Sequence, residues 1–179
     1  GRCAFSIDGE VLRDCGGGLP PLPRELQYLV LDFSSWSSSE VFDLSLLPRF
    51  PELRALVFLL APVDLDIGHV AGAGQLRVLH APGIRVSGLS RLAELSELRE
   101  LELDLSGPDG VDDDSLRAIG SLSQLRRLRL MQCAKLKSVE FVRPLQALEF
   151  IDLSGSAVKD LAPLADLPLL REVQAVGAA

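Results

Sequence analysis

Apolar residues recur along the chain in one short phrase, apolar-x-x-apolar-x-apolar. It stands at Leu26-Leu29-Leu31, Leu53-Leu56-Phe58, Leu76-Leu79-Ala81, Leu98-Leu101-Leu103, Leu125-Leu128-Leu130, Leu148-Ile151-Leu153 and Leu170-Val173-Ala175. The first positions are separated by 27, 23, 22, 27, 23 and 22 residues, so the series itself repeats after 72. A shift of 72 superimposes Leu44 on Leu116, Leu47 on Ile119, Val70 on Val142, Val86 on Val158, Leu89 on Leu161 and Leu92 on Leu164. An amphipathic helical protein produces isolated LxxL pairs by chance, but seven phased copies point to a repeat architecture.

Each phrase predicts a short strand. Successive side chains of a strand point to opposite sides, so the fourth and sixth positions enter a core while the third, fifth and seventh face solvent. A repeat of this size buries its leucines only against its neighbours. The return segments supply the other wall. Leu116, Ile119 and Leu122 have helical spacing after Asp113-Asp114-Ser115, a helix-start signal. Leu161, Leu164 and Leu167 recur every three residues, which predicts a shorter helix or 3₁₀ turn.

From about Leu22 to Val176 the chain resembles the leucine-rich-repeat family. The resemblance implies an α/β solenoid with a parallel, concave β-sheet and short helices or 3₁₀ turns on the convex side. The stretch from Ser156 to Leu167 is similar to the SDS22-like subclass, also found in internalins, and Val111 to Cys133 to the longer cysteine-containing subclass. The ninth position, usually Asn or Cys in the family, is Ser34, Ala61, Ile84, Ser106, Cys133 and Ser156 in the first six copies. Ser and Cys can satisfy backbone groups where the strand turns away; Ala61 and Ile84 cannot, so irregular or water-bridged turns are expected there.

Residues 1–21 read as a terminal unit and 22–179 as the repeat domain, of about seven strands. In the first, Asp8-Gly9 is a two-residue turn signal between Phe5-Ser6-Ile7 and Val11-Leu12 and predicts a hairpin; the alternative is the strand of a degenerate first repeat. Either caps the exposed end of the core. Gly16-Gly17-Gly18 follows as a flexible joint. Leu19-Pro20-Pro21-Leu22-Pro23-Arg24-Glu25-Leu26 resembles a phrase of bacterial effector leucine-rich repeats, including those carrying ubiquitin-ligase domains. Gly1 in place of an initiating Met, and little polar capping after the last strand, read as a piece of a longer polypeptide.

Composition narrows the function. Hydrophobic residues make up 47% and charged residues 24%, which suits a folded core. A net charge of −7 argues against general binding of nucleic acids or anionic membranes, where affinity comes from neutralising phosphate. No apolar run is long enough to span a bilayer, and no basic segment followed by an apolar stretch opens the chain. Cys3, Cys15 and Cys133 form no CxxC pair, so a reducing, cytoplasmic location is expected, although Cys3 and Cys15 can pair if oxidised.

Catalytic constellations are not found. His69 and His80 have no metal-ligand spacing, and His80 occupies a solvent-facing fifth position two repeats from Cys133, roughly 10 Å at the usual inter-strand spacing. Asp109, Asp112, Asp113 and Asp114 lack the spacing of a calcium loop and read as a solvated loop and helix cap. Neither a phosphate loop nor a GxSxG elbow is present. No catalytic residue, metal or cofactor is expected.

The solvent-facing strand positions define the candidate partner surface. Tyr28, Val30, Val57, Leu59 and Val78, with Asp32, Ala55, His80 and Pro82, form an apolar first zone. Glu100, Glu102 and Asp104 make an acidic strand, then come Arg127, Arg129 and Met131, then Phe150, Asp152 and Ser154. Cross-strand ion pairing alone would account for the adjacent acidic and basic strands. The apolar zone points instead to contact with a protein partner. The leading expectation is a protein-interaction module, the sensor or autoinhibitory part of a larger signalling or immune-type protein. The alternatives are the substrate-recognition segment of an effector enzyme such as a ubiquitin ligase, and a structural solenoid that associates with itself.

Overall fold

The computed structural model describes residues 3–15, 19–35, 45–60, 64–105 and 112–177. The nine parallel strands are β1 (Ala4–Asp8), β2 (Tyr28–Asp32), β3 (Ala55–Leu59), β4 (Leu65–Asp66), β5 (Val78–Ser87), β6 (Glu100–Asp104), β7 (Arg127–Met131), β8 (Phe150–Asp152) and β9 (Glu172–Gln174), and the seven apolar phrases form all of them except β1 and β4. Eight of them are hydrogen-bonded in the order β1-β2-β3-β5-β6-β7-β8-β9, while β4 pairs with the far end of β5 through Leu65 and Val86. Sequential order and parallel pairing are what an α/β leucine-rich-repeat solenoid requires.

Three backbone hydrogen bonds recur from repeat to repeat and set the register. The N–H of the first repeat position closes the preceding return segment: Leu53 donates to Phe50 O at 3.0 Å, Leu76 to Ala73 O at 2.8 Å and Leu98 to Leu95 O at 2.9 Å. The carbonyl of the second position then accepts two N–H groups from the next repeat. Gln27 O takes Arg54 N at 2.8 Å and Ala55 N at 3.0 Å, and the same fork recurs at Arg54, Arg77, Arg99, Arg126 and Glu149. This alignment puts Leu29, Leu56, Leu79, Leu101, Leu128, Ile151 and Val173 in one row. One continuous core follows, running from Ile7 to Leu167.

The convex side is built as the spacing predicts. Helix α2 (Asp113–Gly120) starts where Asp112 Oδ1 accepts from Ser115 N at 2.8 Å. The other returns after β2 are 3₁₀ turns at Leu47–Arg49, Ile67–His69, Leu89–Glu94, Glu140–Val142 and Ala162–Asp166. Contact between returns is close: a Cβ at Gly120 would lie 2.5 Å from Phe141 O, so only glycine lets α2 pack on the following turn.

The 72-residue period extends to backbone conformation. The two described non-glycine residues with positive φ are Leu60 at 52° and Gln132 at 55°, equivalent under that shift and both at the eighth repeat position. Gly83 and Gly155, also equivalent, fill the same position with φ of 68° and 76°, while Gly177 at 71° departs from its equivalent, Leu105. The eighth position is thus the corner at which the strand turns out of the sheet, through the left-handed region. Phe33 and Leu105, again equivalent, bury their side chains there instead and donate their N–H groups to Leu59 O and Met131 O, each at 2.9 Å.

At the ninth position Cys133 points inward and its thiol donates to Leu130 O at 3.2 Å, while Ser156 Oγ accepts from Val158 N at 3.4 Å. Ile84, which has no polar group to offer, is buried beside a register shift between Ala81 and Arg85. That is the irregular turn expected of it. Ala61, Ser106, Asp109, Val111 and the Gly16–Gly18 joint lie outside the described residues.

The hairpin reading of the N-terminal segment is corrected. β1 runs parallel to β2, with Ala4 opposite Tyr28 and Asp8 opposite Asp32. Asp8 Oδ1 accepts from Glu10 N and Val11 N, each at 3.0 Å, so Asp8-Gly9 opens a helix, α1 (Gly9–Asp14), and not a turn. Of the two readings, the geometry is that of a degenerate repeat, with Leu12 of α1 closing over the core.

The corner position yields a stability test by urea unfolding. A Cβ at Gly83 meets nothing within 4 Å, so Gly83→Ala exposes the conformational cost alone, and stability falls by about 1–2 kcal/mol. Leu60 is mostly exposed, so Leu60→Gly loses little burial and leaves stability unchanged or raised by up to about 1 kcal/mol. The opposite order of the two midpoints would show that the eighth position does not carry the strain.

Candidate functional site

The in-register strands carry the odd positions onto the concave face as continuous rows. The third-position row reads Tyr28, Ala55, Val78, Glu100, Arg127, Phe150; the fifth reads Val30, Val57, His80, Glu102, Arg129, Asp152. Asp32, Leu59, Asp104 and Met131 stand at the seventh position, with Asp32 beside Leu59 and Asp104 beside Met131. Every residue predicted for the partner surface except Pro82 and Ser154, which have no register partner, is therefore placed on one face. They differ in what they offer to it.

Tyr28, Val30, Val57 and Val78 are partly exposed, and Leu59 is 39% exposed. They form a contiguous apolar zone over β2, β3 and β5, into which Ala55, largely buried, contributes only a floor. The zone ends at His80, whose Nε2 is 3.5 Å from Glu100 Oε2 and whose Nδ1 is 3.9 Å from Glu102 Oε2.

Beyond His80 the fifth-position row is a linked set of charges. Arg129 Nη1 lies 3.2 Å from Glu102 Oε2 and Arg129 Nε 3.3 Å from Asp152 Oδ2. The Glu102 and Asp152 side chains are only 15% and 10% exposed, so Arg129 bridges two carboxylates that are nearly withdrawn from water. In the third-position row Glu100 and Arg127 are register partners, yet Glu100 turns to His80 and Arg127 lies over the Phe150 ring, 4.4 Å from its centroid. Arg129 also approaches that ring, at 5.4 Å. Half of this zone is thus internally satisfied by ion pairs and cation–π contacts.

Phe150 is consequently a correction to the predicted contact set. It is 4% exposed, because two arginine stems from β7 fold over it, and in this arrangement it supports Arg127 and does not face a partner. Projection by strand alternation assigns the side of the sheet but ignores how far a long neighbour can reach.

Cys133 sits inside the core, away from the concave face. Its burial, followed by its neighbours, pushes its thiol from 9.0 up to about 11. Among the described residues no three metal-ligating side chains converge, and no helix is long and apolar enough to cross a membrane. Asp112, from the acidic run, is committed to capping α2, and Asp114 pairs with Arg117 at 2.8 Å. A cavity of about 860 Å³ lies between the Leu19–Leu22 segment and the turn holding Pro48, Phe50 and Pro51, away from the concave rows.

No protein-family profile and no curated protein sequence matches the chain. Solved structures do. An internalin from Listeria monocytogenes superimposes with a TM-score of 0.71 at 21% identity, over 96% of this chain and 47% of the internalin. A leucine-rich-repeat protein from Leptospira interrogans gives 0.62 at 17% identity, over 96% of this chain and 48% of the other. The leucine-rich-repeat ectodomain of a plant membrane receptor kinase from Arabidopsis thaliana, determined in complex with Casparian strip integrity factor 2, gives 0.62 at 20% identity over 87% of this chain and 19% of the receptor chain. The chain has the leucine-rich-repeat fold and spans about half the length of the first two structures.

Two measurements check the site geometry. Arg129→Gln strands two shielded carboxylates side by side and lowers stability by about 1–2 kcal/mol, an effect that shrinks when Glu102→Gln is already present. Additivity of the two changes would break the proposed bridge. For Cys133, whose raised folded value keeps the thiol protonated, the stability contribution is complete below pH 9.0 and is lost as pH rises toward about 11, because only the unfolded thiol ionises in that window. Iodoacetamide in mildly alkaline buffer should therefore modify exposed Cys15 first and reach Cys133 only after urea is added.

Proposed function

We propose that this chain is a protein-interaction module that recognises its partner with the concave face, using the apolar zone of Tyr28, Val30, Val57, Leu59 and Val78 as the contact centre. The observation that carries this reading is that these apolar side chains stay accessible on a sheet whose other half satisfies its charges internally. Accessible apolar surface gains free energy on burial by a partner, whereas a pre-paired charge row contributes orientation and selectivity more than affinity. His80, Glu100, Glu102, Asp104, Arg127, Arg129 and Met131 then form the polar rim.

Within this reading the module is the sensor or autoinhibitory part of a larger protein, with repeats that mix SDS22-like and cysteine-containing types. The single helical return described after β2, α2, stands among 3₁₀ returns and supports the mixture. Three free cysteines suit a reducing compartment, the cytoplasm. A second reading, self-association, is favoured by the C-terminal end, where Leu169, Val173 and Val176 are 48%, 41% and 77% exposed beside the edge strand β9.

Pull-down with the wild-type module, Leu59→Asp and Arg129→Glu tests the proposal. Specific partner recovery should fall at least roughly tenfold for Leu59→Asp, as a charge enters the contact centre, and less for Arg129→Glu at the rim. Undiminished recovery with both would remove the concave face from consideration. Light scattering separates the second reading: growth in mass with concentration that Val173→Asp abolishes supports it, and a monomer at all concentrations excludes it.

A further inference from the structure

The second repeat position lies just before each strand and takes no part in the concave charge row. It reads Gln27, Arg54, Arg77, Arg99, Arg126, Glu149 and Arg171, four arginines in succession in a chain of net charge −7. Their peptide groups are bonded one to the next: Arg77 N donates to Arg54 O at 2.7 Å, Arg99 N to Arg77 O and Arg126 N to Arg99 O, both at 2.8 Å. At roughly 4.8 Å per strand the row extends over about 14 Å.

Like charges on adjacent strands destabilise a sheet, and the ordinary remedy is an opposite charge on the neighbouring strand. One end of the row has that remedy, since Arg126 Nη1 lies 3.4 Å from Glu149 Oε1. Arg54, Arg77 and Arg99 do not. Among the described residues none of the three makes an ion pair or a side-chain hydrogen bond, and Arg54 Nε is buried without any acceptor. Of the flanking carboxylates, Glu52 accepts from Gln27 Nε2 at 3.5 Å and Glu100 is turned to His80.

We propose that Arg54, Arg77 and Arg99 form a binding row for an acidic peptide segment laid along the rim where the strands begin. A guanidinium offers a planar fork that matches a carboxylate, and one fork per strand makes an evenly spaced series. These three strands cover roughly 10 Å, so at about 3.3 Å per residue about three extended residues span the site. Nucleic acid fits less well: three unpaired cations neutralise few phosphates, and the remaining surface is acidic. The row stands on its own charges and goes beyond the concave-face reading, although Arg54 and Arg77 directly precede Ala55 and Val78 of that face.

The test is fluorescence anisotropy of a fluorescein-labelled hexaglutamate peptide titrated with the full chain at low salt. Saturable binding that weakens as salt rises is expected of the wild type, and the combined variant Arg54→Gln, Arg77→Gln, Arg99→Gln should weaken it at least roughly tenfold. Arg91→Gln, which removes a convex arginine already paired with Glu94, and Leu59→Asp, which disables the concave centre, should leave peptide binding unchanged. If circular dichroism shows the triple variant unfolded, Arg77→Gln alone serves, with a loss of about threefold. Absent binding by the wild type, equal binding by the folded variants, or tighter binding of an oligothymidylate of equal charge would overturn the proposal.

Discussion

Everything in this molecule depends on one doubly used carbonyl per repeat. The second-position C=O accepts the N–H groups of both the second and third positions of the next repeat, from Gln27 through Glu149. A repeat of 22 to 27 residues cannot bury its leucines alone, so its stability lies in the fit to its neighbours, and the fork fixes that fit to the residue. A slip of one position would turn the leucine row outward and the concave residues inward. Core continuity, the ordered concave rows and the arginine row all follow from the same pair of bonds.

Against this regular backbone, the concave face is divided in two by side-chain length. Small and branched residues on β2, β3 and β5 leave an open apolar floor, whereas arginines on β7 reach across to β6 and β8 and close their half with Glu102, Asp152 and Phe150. The boundary is His80, in contact with both acidic residues of β6. One half is ready to be covered; the other is held in shape.

The strand positions, their parallel order and the helical return at Asp113–Gly120 were legible because apolar spacing and caps are local signals. Asp8-Gly9 misled because the same dipeptide that turns a hairpin also caps a helix, and only the pairing of β1 with β2 decides between them. Phe150 was placed on the correct face and assigned the wrong exposure, since cover by Arg127 depends on a neighbouring strand that alternation does not consider. The left-handed corner was hidden where Leu60 and Gln132 hold it, though glycines at 83, 155 and 177 mark it plainly once the repeats are aligned. The second-position arginines were visible in that same alignment but fall outside the alternating pattern used to choose surface residues.

The 72-residue period has a consequence for how such a module changes size. Leu60 and Gln132 share an unusual corner, Phe33 and Leu105 share an inward one, and the 3₁₀ turns beginning at Ile67 and Glu140 fall within one residue of equivalence. The smallest interchangeable piece is therefore three strands, not one. Removing or adding a single repeat would bring unlike corners together, while a three-strand step, roughly 14 Å of sheet, leaves each remaining strand beside the kind of neighbour it now has. The last copy departs from that rule, since Gly177, 72 residues after Leu105, takes the left-handed corner where Leu105 turns inward, so the three-strand unit ends at the terminal repeat.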